Sequence, residues 1–597
     1  MKIVFYITII ASIVYAMSLN AQQATDSVAP EAEVEFEVLF DTISPEVEAS
    51  LSAKAAGKPV LAKNWMVAAA NPHAVTAGAR VLKEGGTAAD AMVAVQTVLG
   101  LVEPQSSGIG GGAFLVWFDA TTEELSTLDG RETAPLAATP QLFLNEDGER
   151  LKFWDAVVGG RSVGVPGTPA LMEAAHKKWG QKAWSDLFTE AIQLAENGFT
   201  VSPRLASLVA RDSERLQQFR ETADYFFRDG KPITAGTRLT NPDYADVMRR
   251  MADKGADIIY SGDIAQAIVE TVRNTGENPG LISLIDLEIY KVKERPAICS
   301  PFRGHQVCGM GPPSSGALTV GQILGILDHF PVGSPDGLQT LRLLGDASRL
   351  AFADRGRYIA DSDFVPVPTK GLLSEDYLID RAKLLKGTTA LTEVSPGNPK
   401  HSHASLWADD LSLELPSTSH ISIVDGYGNA LSMTTTIENA FGSRLMTNGF
   451  LLNNELTDFS FSSHNEGVPI ANRVEPGKRP RSSMSPTIVL KDGLPSLVIG
   501  SPGGSRIIGY VVQAIIAHID WDMDVQTAVS IPHAVNRFGT FDLEMGTSLE
   551  NMVEPLESLG YKVKLHNLNS GLHAISVKKN GLSGGADPRR EGIVLGQ

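Results

Sequence analysis

A threonine hydroxyl is a weak nucleophile until a base stands beside it, and one base always within reach is the threonine's own α-amine, once the preceding peptide bond is cut. That amine titrates near ~7.7–8.0, which suits general base work at neutral pH. Thr418 sits where such chemistry could be built. His420-Ile421-Ser422-Ile423-Val424 alternates as a strand, Asp425-Gly426-Tyr427-Gly428-Asn429 is a turn, and Ala430 to Ile437 returns as a Thr-rich strand. A hairpin centred on Tyr427 sets Thr418 opposite Thr436, so two hydroxyls face one another at a strand start. On spacing alone, however, a Thr here is an ordinary strand residue.

Three later segments add to that reading. Gly449 to Phe459 carries the carboxylates Glu455 and Asp458, Lys478 to Pro486 carries the hydroxyls of Ser482 and Ser483, and Gly500 to Arg506 runs into an apolar helix. Singly, these are a solvated loop, a turn and a strand-to-helix connection. Together they could form an acyl-transfer site, because Gly503-Gly504 lets backbone N–H groups approach a reacting carbonyl with no Cβ in the way.

In this order the motifs resemble those of the γ-glutamyltranspeptidases (γ-glutamyltransferases), members of the N-terminal-nucleophile hydrolases. The resemblance runs from about Ala68 to Gly592. Its sharpest parts are Thr418-Ser419-His420, Leu452-Asn453-Asn454-Glu455 with Asp458-Phe459-Ser460, Arg479 to Thr487, Ser501 to Arg506, and Asp129-Gly130-Arg131-Glu132-Thr133-Ala134-Pro135. It implies a four-layer αββα sandwich formed jointly by two chains of a self-cleaved precursor. The cut falls between Ser417 and Thr418, leaving a large subunit, 61–417, and a small catalytic one, 418–597.

For the site, the resemblance implies that Thr418 attacks the γ-carbonyl of glutathione or another γ-glutamyl compound. Water, an amino acid or a dipeptide then takes the acyl group from the threonine ester. Thr436 should hold and polarise Thr418, and Gly503 and Gly504 should supply oxyanion N–H groups. Arg131, helped by Ser482 and Ser483, should take the substrate's α-carboxylate. Asp458, supported by Glu455, should take its ammonium. No metal or cofactor is implied. Two departures stand out. Glu438 replaces the Asn of several members; its carboxylate can still accept from the ammonium but adds negative charge. Phe459 to Lys478 is short for a lid and contains no Tyr, which suggests a more open pocket and prominent hydrolysis.

Two rivals remain. A β-lactam side-chain acylase of the same fold would take glutaryl groups, which lack the ammonium that Asp458 and Glu455 suit. An uncleaved periplasmic binding protein would keep Arg131 and Asp458 useful but leave Thr418 dispensable.

The elements that must position these residues lie in a chain of 597 residues with formal net charge −18. With 43% hydrophobic and 20% charged residues it is globular in composition, and with no long basic run it does not suit nucleic acid. Met1 to Ala16, one charge then a short apolar run, reads as a secretory signal peptide over 1–21 rather than a retained anchor. Export to the periplasm or cell exterior follows, with an acidic mobile leader over 22–60. Cys299 and Cys308 face one another across a hairpin turning at Arg303-Gly304, as a disulfide or as two free buried thiols. Pro72 opens one helix, Gly85-Gly86 stops it, and Thr87 to Asp90 caps a second. Ser106 to Phe114 is rich in Gly but enters a strand rather than a helix, so close backbone packing explains it better than a nucleotide loop. Thr168–Lys178 and Leu338–Asp354 are amphipathic helical windows, and Glu393 to Ser417 reads as an exposed segment.

Overall fold

The computed structural model describes residues 44–400, 406–410, 412 and 417–597. The segment expected to be a signal peptide and most of the expected leader therefore lie outside the described residues. From Ser44 onward the leader reading is corrected, because Pro45–Ala55 is a helix. Ser44 caps it by accepting from Val47 N–H, Pro45 fills the first turn, and Glu46 and Glu48 sit at its positive end. Val47 is buried, and Ser50 Oγ accepts from Val594 N–H at 3.2 Å. A capped helix tied to the last strand is part of the fold.

The expected helix pair forms as Pro72–Lys83 and Ala88–Val102. Asn71 caps the first, and Thr87 with Asp90 makes a reciprocal capping box on the second. Every residue of Ala88–Val102 is buried. The amphipathic windows are the helices Thr168–Trp179 and Leu338–Tyr358.

Two seven-stranded antiparallel sheets carry the molecule. In the first the order is Ile593–Gly596, Met66–Ala69, Ser419–Val424, Ala430–Thr436, Gly112–Asp119, Glu124–Gly130 and Lys293–Arg295. The second runs Val60–Ala62, Gly581–Ala586, His573–Lys578, Leu494–Gly500, Thr487–Lys491, His305–Gly309 and Ile298–Phe302. Strand alternation sorts the side chains into layers. Met66, Ala68, Val116 and Phe118 face Ile488, Val498 and Ile575 between the sheets. Their neighbours Val67, Ala69, Leu115 and Trp117 point outward to the helix pair. The outer face of the second sheet packs Val489, Leu497 and Ile499 against Gly316–Leu327, Leu338–Tyr358 and Ile507–Ile519. The result is helix, sheet, sheet, helix.

Cys299 and Cys308 are directly opposed at the sheet edge and form a disulfide, with Arg303 and Gly304 at positive φ in the turn. The segment before Thr418 is not wholly exposed. Asp410 is buried and pairs with Arg481 at 2.8 Å, while 401–405, 411 and 413–416 lie outside the described residues. Among the described residues no helix is long and apolar enough to cross a membrane.

Candidate active site

The nucleophile region is built by backbone packing. Ser419 pairs with Thr435 in the hairpin, so the next positions outward, Thr418 and Thr436, meet; Thr418 Oγ–H donates to Thr436 Oγ at 3.0 Å. The Thr436 oxygen also accepts from Glu438 N–H at 2.8 Å, which fixes its position. The glycine run lies against this strand, where a Cβ on Gly111 would collide with the Thr436 carbonyl and one on Gly110 with that of Leu451. Close backbone approach is thus the reason for those glycines.

Thr418 has φ +94°, a conformation that a β-branched residue adopts only under strain. The carbonyl just before it, of Ser417, accepts from Gly503 N–H at 3.1 Å, and Ser417 Oγ–H donates to the Gln105 carbonyl. Gly503 and Gly504 both have positive φ, and they lead through a short 3₁₀ turn into the helix Ile507–Ile519. Their amides therefore lie at the positive end of a helix, where they favour a developing oxyanion.

Of the ten residues expected to act on substrate, nine line one cleft of about 20 Å³, and Gly503 stands behind it at the Ser417 carbonyl. Thr418, Thr436 and Arg131 come from strand ends of the first sheet. Ser482, Ser483 and Gly504 flank strands of the second, and Glu455 and Asp458 lie on a 3₁₀ turn. The short 459–478 segment folds as a small hairpin, with Phe461 stacked on Phe143.

The recognition region is held by charge. Arg131 is fully buried and pairs with both Glu455 and Asp458, with Glu132 4.0 Å away. Its remaining N–H groups donate to the carbonyls of Pro480 at 3.2 Å and Arg481 at 2.8 Å. The sequence reading gave Arg131 and Asp458 separate partners; in the structure they are partners of each other. Ser482 Oγ accepts from Met484 N–H, and Ser483 Oγ accepts from Arg355, which also donates to Ser315. Glu438, at φ +73°, accepts from Asn454 Nδ2 at 2.5 Å.

Three buried carboxylates, Glu132, Glu455 and Asp458, thus surround one arginine, and a fourth, Glu438, lines the same cleft on Asn454. Burial pushes the Glu455 carboxyl well above its ordinary range against the pull of Arg131, and the charges of Glu132 and Glu438 push the same way. Burial likewise raises Glu132, to about 8. Arg131 is penalised by burial too, but the charges of Glu455, Asp458 and Glu132 outweigh that and strengthen its hold on its proton.

The family model for gamma-glutamyltranspeptidase matches residues 74–597. The chain belongs to the gamma-glutamyltranspeptidase family. It is 38% identical over 550 residues to the glutathione hydrolase proenzyme of Bacillus subtilis (strain 168), covering 89% of this chain and 92% of that protein. It is 36% identical over 555 residues to the glutathione hydrolase proenzyme of Escherichia coli (strain K12), covering 89% and 91%. Among solved structures, the cephalosporin acylase from Bacillus halodurans superposes with a TM-score of 0.80 at 25% identity, over 94% of this chain and 99% of that one.

Within this member of the gamma-glutamyltranspeptidase family, sequence reasoning missed three residues at the site. Glu132 stood inside a quoted motif and was legible there as a second carboxylate beside Arg131. Arg355, from the helix Leu338–Tyr358, gave no sign, since it meets Ser483 only through the fold. Arg590 donates to the Thr418 carbonyl at 3.1 Å. The charged run Asp587-Pro588-Arg589-Arg590-Glu591 between apolar strands was its signal.

Proposed function

We propose that the protein is a self-processing γ-glutamyltranspeptidase and glutathione hydrolase with Thr418 as its nucleophile. The observation that carries this reading is the geometry at one peptide bond. The Ser417 carbonyl accepts from Gly503 N–H, and the Thr418 hydroxyl beside it is positioned by Thr436 on a strained backbone. Thr418 Oγ attacks the Ser417 carbonyl carbon, the C–N bond breaks, and the nitrogen takes the hydroxyl proton, giving an ester. Water hydrolyses that ester to a Ser417 carboxylate and a Thr418 with a free α-amine. The two fragments remain together as large and small subunits.

In turnover the α-amine accepts the Thr418 hydroxyl proton as Oγ attacks the γ-carbonyl of glutathione or a related amide. The same proton goes to the departing amine, and water or an amino acid or dipeptide amine then resolves the γ-glutamyl ester. Substrate recognition is an exchange of ion pairs. The substrate's α-carboxylate takes Arg131 with Ser482 and Ser483, and its ammonium takes Asp458, Glu455 and Glu438, so each charge released from an internal partner gains an external one. Arg131, Glu455 and Asp458 line the cleft while paired with one another, so a glutamyl group bound to them displaces those pairs. Export to the periplasm or beyond is part of the proposal, supported by the N-terminal apolar run and by a disulfide, which persists in oxidising compartments.

The test is an intact mass and denaturing gel of wild type beside Thr418→Ala. Wild type should give fragments of roughly 40 and 20 kDa, estimated from chain length on either side of Ser417. The variant should stay whole and lose at least about a thousandfold in γ-glutamyl-anilide turnover. A wild type that stays whole when folded sinks the reading. Likeness to a cephalosporin acylase keeps a second reading in play. Faster turnover of glutaryl-anilide than of γ-glutamyl-anilide would favour it, but the carboxylates around Arg131 suit a substrate that carries an ammonium.

A further inference from the structure

The peptide groups on both sides of Thr418 are held. Gly503 N–H holds the carbonyl before it, and the Arg590 guanidinium holds the carbonyl after it, at 3.1 Å each. Arg590 is buried, and its Nε–H donates to Asn569 Oδ1 at 3.1 Å. Its stem lies against Gly571, where a Cβ would come within 2.8 Å of Arg590 Cδ and 2.7 Å of Pro502, the residue before the oxyanion glycines. Arg590 therefore holds the carbonyl of the strained nucleophile, and its stem and the residue before the oxyanion glycines both pack on Gly571.

The backbone of Arg590 is fixed from the other end of the chain. Lys54, on the helix Pro45–Ala55, donates from Nζ to the carbonyls of Arg590 at 2.9 Å and Gly592 at 2.6 Å. The same helix takes Val594 N–H on Ser50. Burial lowers the Lys54 ammonium to about 8, while the charges of Asp587 and Glu591 hold its proton on. A buried ammonium needs hydrogen-bond partners, and the two carbonyls supply them, which ties the 590–592 backbone to this helix.

We infer that Arg590 is a positioning residue for Thr418 in self-cleavage and turnover, and that Lys54 makes the N-terminal helix part of the same apparatus. The inference rests on the self-cleavage reading above. An unsupported Thr418 at φ +94° can relax toward extended backbone, which swings Oγ away from the Ser417 carbonyl.

The full-length chain is expressed cold and then warmed, and loss of the uncut form is followed by gel for wild type, Thr418→Ala, Arg590→Met, Arg590→Lys and Lys54→Met. Arg590→Met should cut at least about tenfold more slowly, a barrier change of roughly 1.4 kcal/mol. Arg590→Lys, which keeps one charged donor, should recover part of the rate, and Lys54→Met should fall between wild type and Arg590→Met. Once cut, Arg590→Met should show lowered kcat with KM within about twofold, because an effect confined to the nucleophile leaves glutamyl binding alone. If wild type cuts, Thr418→Ala does not, and Arg590→Met cuts as fast as wild type, the inference fails while the self-cleavage reading stands. A wild type that stays whole removes both. Should Arg590→Met fail to fold by circular dichroism, Asn569→Ala and Lys54→Met, which loosen Arg590 without removing it, decide the matter: slowed cutting supports it and unchanged cutting overturns it.

Discussion

The two ends of the cleft are built from different materials. Around Thr418 the holding groups are mostly backbone and hydroxyl: the hairpin register, the Glu438 amide on Thr436, and the Gly503 amide on the Ser417 carbonyl. Around Arg131 they are charged, with three carboxylates packed about one guanidinium. Backbone geometry is set once by folding and does not titrate. A charge cluster can exchange partners, which a site that must admit a zwitterion needs, but its strength depends on protons.

The sharpest way to break this contrast is at the backbone end. Gly503→Ala puts a Cβ at φ +134° within 2.8 Å of the Tyr510 ring, so the loop must shift. We expect kcat to fall about a hundredfold, the scale of one lost oxyanion donor, by a similar factor from pH 6 to 9. A pH-dependent loss would mean that this end is not purely geometric. At the charged end, Arg131→Lys keeps the charge but loses the forked donors, and should raise KM by roughly 30-fold or more while kcat changes less. An effect on kcat alone would place Arg131 in the chemistry rather than in recognition.

Glu438→Asn is the milder probe of that end. Removing its charge should change KM by less than about tenfold, with the self-cleavage rate unaltered. A slowed cut would tie Glu438 to Thr436 through more than its amide. The smallest effect is thermal. Burial raises the Glu132 carboxyl to about 8, so its contribution to stability is full below its ordinary value and lost as pH rises through about 8. Wild-type Tm should therefore fall between pH 5 and 8, and Glu132→Gln should reduce that fall by a degree or two. An equal slope in the variant would assign the titration to Glu455.

The backbone end was also the more legible one in the sequence. A tight hairpin fixes every cross-strand pair once its turn is known, so Thr418 opposite Thr436 follows from Asp425 to Asn429 alone. Capping residues placed the helices at Pro72 and Ala88 for the same local reason. The charged end was legible only as a set of members. Which carboxylate Arg131 holds depends on contacts over 324 and 327 residues of chain, and nothing in spacing reports them. From Ser44 onward the acidic composition of the leader hides a helix, although Ser44-Pro45-Glu46 is a helix start in its own right.

Both sheets interleave strands from either side of the Ser417–Thr418 bond. In the first, Met66–Ala69 lies between Ile593–Gly596 and Ser419–Val424, and Ala430–Thr436 pairs with Gly112–Asp119. In the second, Val60–Ala62 pairs with Gly581–Ala586, and His305–Gly309 with Thr487–Lys491. A cut at that bond leaves five ladders of backbone hydrogen bonds stitching the fragments together. Dilution alone should not part them, as it parts ordinary dimers. Separation requires unzipping the core, so the two pieces share one unfolding transition, and once parted they face a different reassembly problem from the single chain that first folded.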